Sequence, residues 1–277
     1  MRDLERAFQA AGAAGWGSVA FARLRPAMRL EDQQKAQALC PGARTVLIAA
    51  FPYCAGDRPG NLSLYARGED YHRVLLRRLT PVSTVLSCLY PGESVWVGAD
   101  SSPLPEREAA RLAGLGILGR HGLIIVPPYG SWVFLGTVLT SAALPLEEAA
   151  PAPLCEDCGW CLSACPAGAL GTEGLCEGRC LSHLTQKKGE LSPDEEALIA
   201  AHPYAWGCDL CQRACPHNAG CALSPLREFR EGLMDTLRLE DMEGLTNRTF
   251  REKYGERAFA WRGPGVLRRN LSLQQGA

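Results

Sequence analysis

Two kinds of apolar pattern alternate along the chain. Thr45-Val-Leu-Ile-Ala-Ala-Phe51 is apolar at nearly every position, which predicts a short strand buried on both faces. Ser94-Val-Trp-Val-Gly98 predicts a second strand, with Asp100 just beyond its end. His121–Val126 and Ser131–Thr140 predict two more, joined by a hairpin-like turn at Pro127-Pro-Tyr-Gly130. Helical spacing appears at Leu4–Ala14 and at Asp70–Leu89, where Val74, Leu75 and Leu79 share a face. Pro81 is expected to kink or split that second helix. A shorter helix is predicted over Pro105–Leu115, started by its proline.

These elements make residues 1–150 an α/β domain. Ala142–Pro153 is rich in Ala, Pro and Glu and reads as a linker. A second, cysteine-rich domain is expected over residues 151–223, with its cysteines from Cys155 to Cys221. Residues 224–277 read as a partly helical tail carrying many arginines.

Composition narrows the function classes. The 277 residues are 47% apolar and 21% charged, which suits a globular protein with a real core. The net charge of −1 gives no general electrostatic case for nucleic acid or anionic membrane, so such binding needs a local patch. No apolar run reaches the about 18 to 20 residues of a membrane helix, and the start Met1-Arg2-Asp3-Leu4-Glu5 lacks a signal-peptide pattern. A cytoplasmic protein without membrane contact is the expectation.

The cysteines change the picture most. Of 13, only Cys40, Cys54 and Cys88 precede Cys155, and these read as small core residues. A reducing cytosol disfavours disulfides, so the cluster of ten points to metal. Cys155-x2-Cys158-x2-Cys161-x3-Cys165-Pro166 has the bacterial ferredoxin spacing, in which the fourth cysteine serves a second cluster. The second run, Cys208-x2-Cys211-x3-Cys215-Pro216, lacks one close cysteine, which Cys180 upstream would replace. Crossed ligation then assigns Cys155, Cys158, Cys161 and Cys215 to one [4Fe–4S] cluster. Cys165, Cys180, Cys208 and Cys211 go to the other. Cys176 competes with Cys180, and Cys221 is a spare thiol. Structural zinc fits poorly, because it prefers separated Cys-x2-Cys pairs closing one tetrahedron.

A ferredoxin needs far fewer residues than precede these clusters, so a reductase with its own catalytic site is expected. Tyr65-Ala-Arg-Gly-Glu-Asp-Tyr-His72 is dense in polar and aromatic groups. His72 is either a satisfied structural histidine or a proton carrier. Asp100 is either a turn former or helix cap, or a strand-end carboxylate with a chemical role. Gly114-x-Gly-x-x-Gly119 follows a helix rather than a strand and fails the context of a dinucleotide fingerprint. Asp70-Tyr-His72 does not continue into a cobalamin-ligating Asp-x-His-x-x-Gly.

Taken in order, several motifs resemble the epoxyqueuosine reductase family. They are Tyr65–His72, Asp100-Ser-Ser-Pro103, Ala113–Gly119, Gly130–Gly136, the Cys155 run, Arg179–Thr185 and Trp206–Pro216, with Phe259–Gly263 and Leu267–Asn270 in the tail. The resemblance implies an α+β protein: a nitroreductase-like cobalamin-binding domain joined to a ferredoxin-like module, as in reductive dehalogenases. It implies a cobalamin enzyme, base-off, that reduces epoxyqueuosine in the tRNA anticodon wobble position to queuosine. Asp100 maps onto the general acid and is expected to have a raised pKa beside the corrin. Ile124, Leu135, Ser182, Asp209 and Leu210 map onto corrin-bordering positions, and Lys188 onto a tRNA-contacting region. A monomer fed by an external low-potential electron donor is the expected assembly.

There are departures from the pattern. Gly119-Arg-His121 stands where the family has Gly-Lys-Asn, keeping charge but not shape. Glu31-Asp-Gln-Gln-Lys35 replaces residues that are usually basic or aromatic. No helical-repeat segment follows residue 277 in this sequence, as one often does in the family. The tail's Arg257, Arg262, Arg268 and Arg269, with Arg179, Lys187, Lys188 and Arg213, could form a local basic face for tRNA. Rival readings are a corrinoid iron–sulfur reductase of a small molecule and a ferredoxin-like electron carrier or corrinoid-reactivating protein.

Overall fold

A computed structural model describes residues 1–145, 151–152, 154–171 and 174–276. The first region holds helices α1 (Arg2–Ala11), α2 (Phe21–Leu24), α3 (Leu30–Leu39), α4 (Tyr71–Leu89) and α5 (Glu106–Leu112). Its four main strands are β1 (Gly15–Ala20), β2 (Thr45–Pro52), β3 (Val95–Ala99) and β6 (Val133–Thr140). They form one sheet in the order β1-β2-β6-β3, with every neighbouring pair antiparallel.

β2 is buried at every position, as its unbroken apolar run requires. Leu47, Ala49 and Phe51 face α1 and α4. Val46 packs with α2 and α3, and Ile48 and Ala50 with α5. Helices therefore cover both faces of the sheet, and β3 emerges at its edge to deliver Asp100.

Three local expectations change. Pro81 neither splits nor ends α4, which runs through it from Tyr71 to Leu89. The lost amide bond, about 3 kcal/mol in an unsupported helix, is offset by burial of Val74, Leu75, Leu79, Val82 and Leu86 along one face. The predicted strand over His121–Val126 shrinks to β5 (Ile124–Ile125), paired with β4 (Ile117–Leu118) rather than with β6. Its first residues are spent on a turn, where the Gly119 N–H donates to Leu123 O at 2.9 Å and the Leu123 N–H to His121 Nδ1 at 3.2 Å. In the expected linker, Ala142 and Leu144 belong to the core, while residues 146–150 and 153 lie outside the described residues.

The cysteine-rich region carries short elements only. These are α6 (Trp160–Ser163), β7 (Leu170–Gly171), β8 (Gly174–Leu175), α7 (Leu181–Leu184), α8 (Pro193–Ala200) and α9 (Leu210–Arg213). The tail adds α10 (Asn247–Tyr254) and α11 (Pro264–Gln275). It is woven into the rest. Leu226 and Phe229 join the sheet's core. Leu237, Phe250, Phe259 and Leu267 pack with Leu62 and Trp206. The expected basic face of the tail is largely consumed here. Arg257 donates to the carbonyls of Arg67, Gly68 and Gly232, Arg268 to those of Met242 and Leu245, and Arg269 to those of Lys187 and Gly189. The reason is geometric: irregular backbone leaves orphan carbonyls, and the guanidinium fork satisfies several at once.

Candidate active site

Both cysteine runs fold the same way. Gly159, at φ 78°, turns the chain after Cys158 into α6, which carries Cys161 and is followed by Cys165. Gly207, at φ 73°, precedes Cys208, and α9 carries Cys211 and is followed by Cys215. α6 packs on α9, so the end of each run reaches the start of the other. Burial raises the Cys161 thiol, and the neighbouring Cys155 and Cys215 add to it. Cys215 is raised by burial and by Cys158 and Cys155. Burial pushes Cys208 up to about 12, with Asp209, Cys180 and Cys165 adding to it. Cys211 is likewise pushed up to about 12 by burial and by Cys208, Cys180, Cys165 and Cys161.

Cys155 and Cys215 thus stand near Cys161, and Cys165 and Cys180 near Cys208 and Cys211, with Cys161 also acting on Cys211 between the two groups. Cys180, rather than Cys176, is among the thiols acting on Cys208 and Cys211. Thiols crowded in this way stay neutral until a bound cation makes them thiolates, so the donor set fits iron–sulfur clusters. Two backbone amides already point at sulfur: Arg120 N–H to Cys155 Sγ at 3.1 Å and Ala169 N–H to Cys165 Sγ at 3.2 Å. Such bonds are one lever on cluster potential.

A cavity of about 850 Å³ opens where the three regions meet. Gly119 and Arg120 come from the first region, Ser182 and Gln186 from the cysteine-rich region, and Trp261 and Arg262 from the tail. Cys155 and Cys180, one from each thiol group, reach its wall. Arg120 Nε and Arg262 Nε are buried with no protein partner. Arg107, Arg120 and Arg262 line so large a cavity, and such basic side chains suit a ligand rich in acceptors, such as the amide fringe and phosphate of a corrinoid.

Of the positions expected to border the corrin, Ser182 lines this cavity. Ile124, Leu135, Asp209 and Leu210 do not. Ile124 is buried among Ile48, Ala50 and Ala110, with Leu135 against the same cluster. Asp209 is fully buried; its carboxylate accepts from Ser63 Oγ and from the Leu64 N–H at 2.8 Å, tying the second run to the first region. Burial raises its pKa. Leu210 packs beside α7 and α8. Lys188 sits in the turn after α7, next to Lys187, whose ammonium pairs with Glu195 at 2.7 Å.

Asp100 stands just past β3 at φ 56°, a left-handed conformation that disfavours a side chain. Tyr71 Oη donates to Asp100 Oδ2 at 2.6 Å. His72 Nε2 lies 3.4 Å from the same oxygen, and His72 Nδ1 lies 2.8 Å from Asp70 Oδ1. Asp70 also caps α4 through the His72 N–H. Tyr71 is sandwiched between Phe134 and His72, with ring centroids 4.3 and 4.0 Å away. Burial alone would lower the His72 pKa, but bonds to Asp100 and Asp70 outweigh it and push it up to about 9.

The expected raised pKa of Asp100 is not what this arrangement gives. His72 first, then Tyr71 and Arg107, hold its carboxyl below the usual range. The displaced proton affinity appears instead on His72 and on Glu106, whose carboxyl is pushed up to about 7 by burial and by the charge of Asp100. Asp100 is not a helix cap: Pro105 occupies that position for α5. Tyr71, Asp70 and Glu106 escaped sequence reasoning, although the first two lie inside the polar–aromatic segment that contains His72.

Two packed cysteine runs of ferredoxin type, a separate acid–histidine–tyrosine cluster and a large cavity reached by Cys155 and Cys180 define an iron–sulfur protein of the redox class. Comparisons with known proteins sharpen this. Residues 154–218 match the family described as "4Fe-4S double cluster binding domain", and residues 34–101 match "Epoxyqueuosine reductase QueG, DUF1730". The epoxyqueuosine reductase of Staphylococcus aureus is 33% identical over 253 residues, 91% of this chain and 66% of its own length. That of Lactococcus garvieae is 33% identical over 267 residues, 92% of this chain and 72% of its own. The structure of the Streptococcus thermophilus epoxyqueuosine reductase superposes with a TM-score of 0.83 at 26% identity, covering 99% of this chain and 80% of that one. A second structure, of an epoxyqueuosine reductase with an epoxyqueuosine-modified tRNA-Tyr stem loop, has the same TM-score, identity and coverage. The chain belongs to the epoxyqueuosine reductase family, and it spans 66% of the length of the S. aureus relative.

Proposed function

We propose that this chain reduces the epoxide of epoxyqueuosine, at the wobble position of a tRNA anticodon, to the cyclopentene of queuosine. The observation that carries it is the Asp100–His72–Tyr71 constellation, linked through Arg107, which acts on the Asp100 carboxyl, to a cavity whose wall holds Arg107 and a cysteine from each run's thiol group. Cobalamin, held by Arg120, Ser182 and Arg262, would supply the two-electron chemistry at carbon, and the two clusters would supply its electrons. The remaining work falls to protein residues.

Removing an epoxide oxygen as water takes two electrons and two protons. Asp100 Oδ2 is the position from which a proton reaches the opening oxygen. His72 carries a proton at neutral pH, since its pKa lies near 9, and Nε2 hands that proton to Oδ2 across 3.4 Å. Asp70 fixes the imidazole and stabilises its charge. Tyr71 orients Asp100 through its hydroxyl. Crossed ligation pairs Cys155, Cys158 and Cys161 with Cys215, and Cys165, Cys180 and Cys208 with Cys211. An external low-potential donor feeds the clusters of a cytoplasmic monomer. Among the described residues no helix is long and apolar enough to cross a membrane.

Nucleoside analysis of epoxyqueuosine-containing tRNA, incubated with the reduced and fully loaded protein, tests this. Queuosine should replace epoxyqueuosine; unchanged nucleosides with both cofactors in place would sink the proposal.

A further inference from the structure

We propose that Glu106 is the positioning residue of this site, a single carboxylate that latches the Asp100-Ser101-Ser102 turn onto the start of α5. The proposal rests on the reading of Asp100 as proton donor. Asp100 occupies φ 56°, a left-handed turn conformation that aspartate adopts at modest cost. Glu106 holds both ends of that turn. Glu106 Oε2 accepts the Asp100 N–H at 3.1 Å. Glu106 Oε1 accepts the Ser102 hydroxyl at 2.9 Å, and Ser102 Oγ in turn accepts the Leu104 N–H at 3.2 Å. Thr137 Oγ1, on β6, stands 3.5 Å from the same Oε1.

The two oxygens thus grip both ends of a three-residue turn and fix it against the sheet. Within the turn, the bonds from the Ser101 N–H to Ala99 O at 2.6 Å and from the Ser102 N–H to Asp100 O at 2.8 Å are local and would travel with it. Tyr71 and His72 of α4 hold the Asp100 side chain, whereas the Glu106 bonds anchor the turn's backbone and Ser102 to α5. Among the described residues Glu106 has no basic partner within ion-pair distance, so its carboxylate is satisfied by hydroxyl and amide donors alone. A partly buried carboxylate placed beside another carboxylate is a poor device for bulk stability. It is a good one for aiming: with the turn latched, Asp100 Oδ2 meets Tyr71 Oη at 2.6 Å, and with the turn released that aim is lost.

The test is hydrogen exchange of the peptide spanning Asp100 to Leu104 in iron–sulfur-loaded protein, without tRNA or cobalamin. Glu106→Ala should raise exchange there about tenfold or more, the loss of one charge-assisted bond. Glu106→Gln keeps an acceptor oxygen in place and should stay close to wild type, with exchange in β6 unchanged in both. In turnover, Glu106→Ala should lower kcat while leaving KM for tRNA in place, and Glu106→Gln should recover most of the loss. Unchanged exchange in Glu106→Ala, or equal exchange in the two variants, overturns the latch. If Glu106→Ala does not accumulate, Ser102→Ala carries the test through the other arm: faster exchange supports the latch and wild-type exchange overturns it. Exchange is read without substrate, so the two ideas fail separately. An active Asp100→Asn would remove the proton-donor reading, whereas unaltered exchange would remove the latch.

Discussion

The two working parts of this molecule are assembled by opposite means. All but one of the candidate cluster ligands come from two short runs, each built around a four-residue helix, with Cys180 supplied from between them. The acid site has no such local unit. Asp100 comes from the end of β3, Tyr71 and His72 from the start of α4, Glu106 from α5 and Thr137 from β6. A metal site tolerates short connections because the ion organises its own ligands. A proton donor must be aimed by packed elements, because nothing else holds it at hydrogen-bond distance. Damage to the first part should therefore read out as lost metal, and damage to the second as lost turnover with metal intact.

The largest effect tests the first half of that statement. Cys211→Ala should lower iron from about eight to about four per chain, leaving one cluster signature in the electron paramagnetic spectrum. Turnover should be abolished. Eight irons in the purified variant would break the pairing of Cys211 with Cys165, Cys180 and Cys208. The next effect tests the second half. Asp100→Asn should keep all the iron and lose on the order of 10²- to 10⁴-fold in kcat. A variant within a few-fold of wild type would show that the carboxyl is not the proton donor.

The same contrast explains what could be read in the sequence. The double-cluster module was legible because iron–sulfur geometry imposes spacing on neighbouring residues. β2 and α4 were legible from unbroken or 3.6-residue apolar patterns. β1 was not, because Gly15 and Gly17 thin its pattern, and Gly17 is there since a Cβ would lie 2.7 Å from the Ala113 carbonyl oxygen. α3 was missed because Leu30–Leu39 buries only Ala36 and has no apolar stripe to find. Asp100 and His72 stood out separately as candidates, and only family resemblance made Asp100 the general acid; their pairing and the part of Tyr71 were not legible, because a bond between residues 71 and 100 is a tertiary fact. The role of the tail arginines stayed open for a related reason. A guanidinium that clamps carbonyls and one that waits for phosphate look identical as letters.

A pH experiment sharpens the acid site further. His72 is raised from an ordinary value of 6.5 to about 9 in the folded protein. Its pairing with Asp100 and Asp70 therefore contributes stability that is fully present below pH 6.5 and is lost as pH rises through about 9. After allowance for solvent screening at this partly exposed ring, the loss is on the order of 1 kcal/mol. Chemical unfolding at pH 7 and pH 9.5 should show it as a difference between wild type and His72→Gln. In turnover, kcat should fall along a basic limb near pH 9 that the variant lacks. A limb of the same midpoint in His72→Gln would assign the proton to another group.

The smallest effect separates two basic residues that lie close together. Arg269 donates to Lys187 O and Gly189 O and so braces the turn that carries Lys188. Arg269→Ala should destabilise the fold by about 1 kcal/mol, the net worth of hydrogen bonds to partly exposed carbonyls, and should leave the salt dependence of tRNA binding unaltered among folded molecules. Lys188→Ala should do the reverse. If Lys188 meets one phosphate, its loss flattens the slope of log K against log salt by about 0.7 to 0.9 with little change in unfolding. Filter binding across a salt series measures both. Should Arg269→Ala flatten the slope and Lys188→Ala leave it unchanged, the turn would be the scaffold and the tail the RNA contact, reversing the roles the hydrogen bonds now give them.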